Sequence, residues 1–557
     1  MRKLSWAVAV AVFLLFFDVY SFRLGIRPEL WHDDYEYTYP SYSLAERGDL
    51  GSPLLGTGLD IHKRTYSLIV YYYASVHAVL IRLFGDGAES IPLANTFHFA
   101  LLAGAAAFLL LRRGALVGLF VFLYALVRDE PMIEAARHGR PEMTAGFYLT
   151  LAVFALWLWL GESRRTSAVL FAMGALLTAA MLSHTATVFF TIALAAVFAL
   201  PLARQVRVRD AVAGLLPFLA IPLVFLYFFL TDAHFLANLR GQLGPAQGDV
   251  VIGKLLLLLL RGEWRELARL ASQFLADHAG PSLLWISLPV CLLLPRWVAD
   301  RFASAARFFA AIYCLLFFVN FLCLKPFVPW YRAIYQATGY FALAFLAEVA
   351  TARVSERLRK PAWQAVLRVA CVAVLAGLGA REVWSFRERL LGQHLPYAQL
   401  AGALAYALTQ SGAQPGDRVF VPSPFGFHLK RTFDVIAYPA PKYYRGRWGA
   451  AFREGLREIW GRETIGRVPA EQLCYAMGLA FVRPQWVVAW DGDYSVMQSF
   501  YQFLRKYPDL PGMEVTRLGR ATLPSAYGGP VRVYRLQFSQ SVDALDRTYH
   551  VEEQPCP

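Results

Sequence analysis

Three carboxylates stand within four residues in the stretch Trp31-His32-Asp33-Asp34-Tyr35-Glu36-Tyr37, with aromatic rings on both sides. Adjacent carboxylates repel, which raises the pKa of at least one unless a cation, a metal or a substrate intervenes. A carboxylate raised toward neutrality is suited to taking a proton from a hydroxyl. The same residues also suit a solvated loop in which an Asp caps a helix over residues 35–47. A second group, Asp60-Ile61-His62-Lys63-Arg64-Thr65-Tyr66, gathers cations before an apolar stretch. Cations at a bilayer surface suit a lipid phosphate, and equally a snorkelling flank. A third, Arg137-His138-Gly139-Arg140-Pro141-Glu142, stands directly before an apolar block. The fourth, Lys325-Pro326-Phe327-Val328-Pro329-Trp330-Tyr331-Arg332, sets cations among aromatics that also read as a membrane-interface belt. Acids in one segment and cations in three others would together deprotonate a hydroxyl and hold a phosphate anion.

What must position these segments is a membrane bundle. Of 557 residues, 57% are hydrophobic and 17% charged, against roughly 45–50% and 25% in soluble domains. The apolar excess sits in blocks such as 4–22, 94–111 and 308–324. At about 1.5 Å per residue each is long enough to cross roughly 30 Å of hydrocarbon. After about residue 381 the blocks stop and charged, Pro and Gly residues return. The net charge of +14 lies mostly on arginines at block ends, where the positive-inside rule places them. With no basic tail or aromatic-interleaved basic patch, nucleic acid is excluded as a partner. Met1-Arg2-Lys3 and the apolar run after it lack a small-residue cleavage site, so they read as a retained first helix rather than a signal peptide.

Orientation follows from the arginines. With Arg2 and Lys3 cytoplasmic, one choice orders the rest: residues 66–84 lie along the outer surface instead of crossing. Arg112/Arg113, Arg164/Arg165, Arg204/Arg207/Arg209, Arg296/Arg301/Arg307 and Arg353/Arg357/Arg359/Lys360 then all fall inside. The four polar segments fall outside, as do a break at Ser183-His184-Thr185 and a long loop from about 232 to 281. This predicts about eleven transmembrane helices within residues 1–380 and an extracytoplasmic domain over 381–557. In that domain, helical stretches at 397–409 and 497–507 alternate with β-rich runs at 418–422, 433–438, 486–490 and 531–536, which predicts a small α/β fold. Cys474 and Cys556 would share an oxidising compartment there and are expected to form a disulfide, worth roughly 4 kcal/mol in the chain-entropy picture. Cys291, Cys314, Cys323 and Cys371 lie in apolar blocks and read as small buried hydrophobes.

On these residues the chain resembles the GT-C superfamily of polyprenyl-phosphate-dependent glycosyltransferases, in the branch of protein O-mannosyltransferases and lipid A aminoarabinose transferases. The Asp-Glu pair that follows helix one in that branch is met here by Asp33-Asp34, and Tyr37 and Ala45-Glu46-Arg47-Gly48-Asp49 continue the pattern. His62-Lys63-Arg64 and Tyr71-Tyr72-Tyr73 match a basic residue before an aromatic surface helix. Ala136-Arg137-His138-Gly139-Arg140-Pro141-Glu142 matches an Ala-Arg…Arg-Pro-Asp segment, with Glu142 where Asp is usual. The likeness covers about the first 200 residues, and beyond them only helix count and the outer domain.

The resemblance implies inverting transfer of one sugar from a polyprenyl phosphate to an acceptor hydroxyl, at the outer face of the cytoplasmic (inner) membrane. It implies Asp33 as the base with Asp34 in support, and Lys63, Arg64 and Arg332 on the leaving phosphate. Glu36, Tyr37, His62, Arg137, Arg140, Glu142 and Tyr331 would line the substrates. No metal or other cofactor is expected, since preorganised cations can hold a leaving phosphate, although an acidic pair can also take a divalent ion. The expected partners are the lipid-linked donor, membrane lipids and a glycan, lipid or protein acceptor. Rival readings are a glycan ligase using a polyprenyl-diphosphate donor, a lipid flippase or transporter, and an inactive scaffold. A transporter predicts inverted repeats with broken helices, which the sequence lacks, and the Asp pair argues against a scaffold.

Overall fold

The structure is a computed structural model and describes residues 2–24, 32–51, 70–161, 167–203, 206–231, 258–278, 282–294, 301–323, 331–358, 360–391, 397–421, 423–436, 484–490, 513–521 and 531–538. In chain order the membrane part carries α1 (Arg2–Ser21), α2 (His32–Arg47), α3 (Tyr71–Phe84), α4 (Leu93–Arg112), α5 (Leu116–Arg128), α6 (Glu130–Ala136), α7 (Glu142–Gly161), α8 (Ser167–Ser183) and α9 (Thr187–Ala203). It continues with α10 (Val208–Thr231, with a 3-10 turn at Leu216–Leu219), α11 (Trp264–His278), α12 (Ser282–Leu293), α13 (Arg301–Cys323), α14 (Arg332–Arg357) and α15 (Pro361–Leu391). Seven of these, α1, α4, α7, α10, α13, α14 and α15, are long and apolar enough to cross a membrane, and α5, α8, α9 and α12 are shorter apolar helices. Length therefore supports seven spans among the described residues, where the arginines predict about eleven. The 13 residues of α5, for instance, rise only about 20 Å, short of the roughly 30 Å of hydrocarbon.

Lipid is as apolar as a leucine-rich helix, so close backbone approach and polar contacts, rather than hydrophobicity, hold such helices together. The chain follows this rule. α14 is the least apolar of the seven and the most buried, at 83%, while α10 is the most apolar and only 6% buried. Around α14 the rings of Phe309, Phe341 and Phe345 stack at 5.2 and 5.7 Å, and Phe154 of α7 joins Phe309 at 5.7 Å. Gly146 of α7 lies so close to α14 that a Cβ there would collide with the Ala333 carbonyl and the Ile334 Cα. That crossing sets the first turn of α7 against the first turn of α14. Gly146→Val is expected to cost about 3 kcal/mol, the upper part of the range for overpacking, because the obstacle is backbone. A lowered unfolding temperature of the purified chain in detergent would register it.

α1 and α4 run antiparallel, with Trp6 at 4.4 Å from Phe108 and Phe17 at 6.2 Å from Phe97. The chain therefore leaves α1 and enters α4 at the same end of the bundle. Between them α3 is only 14 residues long. Its Arg82 donates to the Ala45 carbonyl at 2.9 Å, and its Tyr73 hydroxyl donates to the Gly139 carbonyl at 2.6 Å. α3 thus lies along that end, in keeping with the surface segment predicted for 66–84, of which 66–69 fall outside the described residues. Ion pairs Arg128–Glu382 (2.7 Å) and Arg389–Glu130 (2.6 Å) lie at this end too. At the opposite end Arg301 donates to the Arg113 carbonyl at 2.8 Å. Cysteine placed at the exposed Glu89 is expected to react with an impermeant maleimide on intact cells, and cysteine at Arg112 only after lysis. The reverse pattern would invert the orientation.

The C-terminal part is a small sheet domain. It has helices α16 (Tyr397–Gln410) and α17 (Ser423–Leu429) and strands β1 (Arg418–Phe420), β2 (Asp434–Ile436), β3 (Trp486–Trp490), β4 (Met513–Ala521) and β5 (Val531–Phe538). Strand order is β2-β1-β3-β5-β4. β1 pairs in parallel with β2 and β3, and β5 runs antiparallel to β3 and β4. Four strands coincide with the predicted β-rich runs. β4 was not among them, because a register shift between Arg517 and Gly519 interrupts its alternation. The helix predicted at 497–507 lies outside the described residues, as do Cys474 and Cys556. α15 runs through the expected boundary at 381 and ends at Leu391. The domain docks through the residues after α17. Lys430 bonds Glu46 of α2, lies 3.2 Å from Asp86 and sits 4.8 Å over the Tyr42 ring, while Arg431 bonds Asp86. Burial alone would raise the Asp86 carboxyl, but Arg431 and Lys430 outweigh it and hold it below the usual range.

Candidate functional site

The loop from α6 into α7 is fixed by polar groups from three helices. Asn95 of α4 donates its amide to the carbonyls of His138 (2.7 Å) and Arg140, and Thr96 donates to the Ala136 carbonyl at 2.8 Å. Thr144 closes the set on the Asn95 side-chain oxygen at 2.9 Å, and Tyr73 of α3 holds Gly139. A buried loop with its carbonyls satisfied in this way presents its side chains in one arrangement. Arg137 turns toward α1, donating to the carbonyls of Tyr20 (2.8 Å), Phe22 (3.0 Å) and Arg23 (3.1 Å). It binds the chain end from which the acidic segment departs. Burial pushes its pKa down to about 10, so it stays charged at neutral pH.

Arg140 turns the other way. Its Nε and Nη2 both reach Glu142 Oε1, at 2.9 and 2.8 Å, and its guanidinium lies 5.9 Å over the Tyr37 ring. Glu142 is 1% exposed, and its Oε2 has no hydrogen-bond partner among the described residues. His184, from the break between α8 and α9, brings Nε2 to 3.6 Å from Glu142 Oε1, and its ring meets Tyr331 edge-on at 5.4 Å. Burial holds the His184 pKa below its ordinary value although Glu142 opposes it, leaving the ring neutral at neutral pH. The neighbouring Arg332 bonds buried Asp129, whose other oxygen accepts from Tyr340, and Arg332 Nε has no partner among the described residues.

α2 begins at His32, three residues before the helix predicted from 35, so Asp33 and Asp34 belong to its first turn and Glu36 opens the second. Acids there are favoured by the helix dipole, and the capping role considered for Asp is replaced by a place inside the helix. The structure thus gathers Tyr37, Arg140, Glu142 and Tyr331 in one cluster, and Arg332 follows Tyr331 in the chain. It assigns Arg137 to backbone carbonyls. His62, Lys63 and Arg64 lie outside the described residues.

This architecture is similar to that of a solved structure of ArnT from Cupriavidus metallidurans bound to undecaprenyl phosphate, with 16% identity, a TM-score of 0.53, and 96% of this chain and 97% of that one covered. The fold is GT-C-like. The apo-state structure of the same ArnT is more distant (15% identity, TM-score 0.40, coverage 96% and 98%). So is the archaeal oligosaccharyltransferase AglB from Archaeoglobus fulgidus in complex with an inhibitory peptide and a dolichol-phosphate (14%, 0.43, 96% and 74%). No family model and no curated protein matches the chain.

Two residues of this cluster escape sequence reasoning. Asp129 follows an apolar block and precedes Glu130-Pro131, so it reads as one of two loop acids; its partner Arg332 is 203 positions away. His184 is visible as a polar break between two apolar helices, but nothing local ties it to Glu142. The signal available was that both are ionisable residues at the edge of apolar blocks, where such groups are costly and usually paired.

Proposed function

We propose that this chain is an inverting glycosyltransferase that moves a single sugar from a polyprenyl-phosphate donor to an acceptor hydroxyl. The observation that carries the proposal is the cluster, at one end of a GT-C-like bundle, of Tyr37 near the start of α2, the Arg140–Glu142–His184 group, and Tyr331 with Arg332 beside it in the chain. The undecaprenyl phosphate bound to ArnT, which shares the fold, supports a lipid phosphate as the donor's carrier. In this reading Asp33 takes the acceptor proton as the acceptor oxygen bonds the sugar's anomeric carbon from the face opposite the phosphate. The anomeric carbon–phosphate oxygen bond breaks in the same step, and polyprenyl phosphate leaves with the electron pair. Lys63, Arg64 and Arg332 hold its growing charge, with Asp129 fixing Arg332. Asp34, Glu36, Tyr37, His62 and Glu142 orient the substrates.

The reading places this end of the bundle outside the cytoplasmic membrane and has α5, α8, α9 and α12 cross with the seven longer helices, the bilayer thinning around segments as short as α5. The sheet domain that follows α15 then sits over the site. The test is mass spectrometry of membrane lipids and glycans from cells with and without the chain. Loss is expected to accumulate a sugar on polyprenyl monophosphate and remove one glycan modification. Accumulation on a diphosphate would indicate a ligase instead, and no lipid-linked change would overturn the proposal. Transfer by purified protein is expected to continue in EDTA; abolition with recovery on adding magnesium or manganese would give the acidic segment a metal-binding role.

A further inference from the structure

We propose that His184 is a positioning residue for Glu142, turning one carboxylate oxygen inward and leaving the other for a substrate hydroxyl. The inference deepens the transferase reading and rests on it for the substrate. The imidazole is fixed from several directions. Its Nδ1 accepts the Ala186 backbone N–H at 3.1 Å, and its own backbone carbonyl accepts the Thr187 hydroxyl at 2.6 Å. Tyr331 packs against the ring edge-on at 5.4 Å. A ring nitrogen that accepts a backbone N–H carries no proton, so in the neutral ring the proton sits on Nε2. Nε2 faces Glu142 Oε1 at 3.6 Å, longer than a hydrogen bond but of a kind that tightens when substrate closes a site.

Oε1 is thereby committed. It carries both contacts from Arg140 and the facing imidazole N–H. Oε2 is buried with no described partner, and a buried carboxylate oxygen without a donor is costly. A sugar or acceptor hydroxyl would supply that donor. The histidine fixes which of the two oxygens is offered, because a freely rotating carboxylate would share both with Arg140.

Two measurements decide the matter. The first is nitrogen NMR of full-length protein in nanodiscs with 15N-labelled histidine, the His184 signal being assigned by its loss in His184→Gln. A neutral ring protonated at Nε2 is expected, with that resonance moving in Glu142→Gln and staying in place in a Glu134→Gln control. Protonation at Nδ1, or no response to Glu142→Gln, would overturn the inference whatever the enzyme does. The second is glycan transfer in cells whose own copy is deleted. His184→Ala is expected to lose about 10- to 100-fold, the scale of a misplaced reacting group. His184→Gln, whose amide N–H can replace Nε2–H, is expected to recover most of it. A glutamine variant as inactive as alanine at equal thermal stability would overturn the positioning role. Absence of transfer by the unaltered chain would defeat the transferase reading alone, with the tautomer still testing the histidine.

Discussion

Asp33→Asn is expected to abolish transfer while leaving the chain folded and in the membrane. Loss of a general base removes about 10²- to 10⁴-fold of rate, enough to bring most transfer assays to background. The stability cost is small by comparison. Asp33 lies in the first turn of α2, where an acid contributes about 0.3–1 kcal/mol through the helix dipole, and Asn is nearly isosteric. The measurement pairs transfer with unfolding temperature for Asp33→Asn, Asp34→Asn and Glu36→Gln. Full activity of Asp33→Asn with loss in one of the others would move the base. Full activity in all three would end the transferase reading.

The second large effect is expected at Asp129 and Arg332, two charges almost fully removed from solvent at 2% and 5% exposure. Breaking one side of a buried pair leaves an uncompensated charge and costs about 3–5 kcal/mol. Asp129→Asn should therefore destabilise the protein severely, more than any surface substitution, and Arg332→Met should do nearly the same. Replacing both, as Asp129→Leu with Arg332→Met, should restore most of the lost stability, because apolar pairs of similar volume often equal a buried ion pair. It should not restore transfer, since the cation proposed for the donor phosphate is gone. A double variant that is both stable and active would confine Arg332 to a structural role.

The membrane class was legible because apolar length is a local signal. The surface course of α3 followed from charge balance alone, and contacts such as Arg82 with Ala45 agree with it. Less was legible wherever partners are distant in the chain. An arginine in an outer loop reads as a substrate ligand, and only the fold reveals that Arg137 spends its guanidinium on Tyr20, Phe22 and Arg23. Asp129 and His184 acquire meaning from Arg332 and Glu142, which helix packing brings to them. The glycine at position 146 reads as an ordinary residue of an apolar block until α14 is laid against it. β4 was hidden by its own bulge.

The two halves of the molecule are joined by different physics. The helices hold one another by close packing and by buried polar contacts such as Arg332 with Asp129, which dissolved salt scarcely reaches, whereas Lys430 and Arg431 hold Glu46 and Asp86 by charge nearer the surface. The reach of such charges shrinks from about 8 Å at physiological ionic strength to about 3 Å at 1 M. Glu46 stands at the far end of the same 16-residue helix whose first turn carries Asp33 and Asp34. α2 is therefore a lever roughly 24 Å long, gripped at one end by the turn after α17 of the C-terminal domain and bearing the acids at the other.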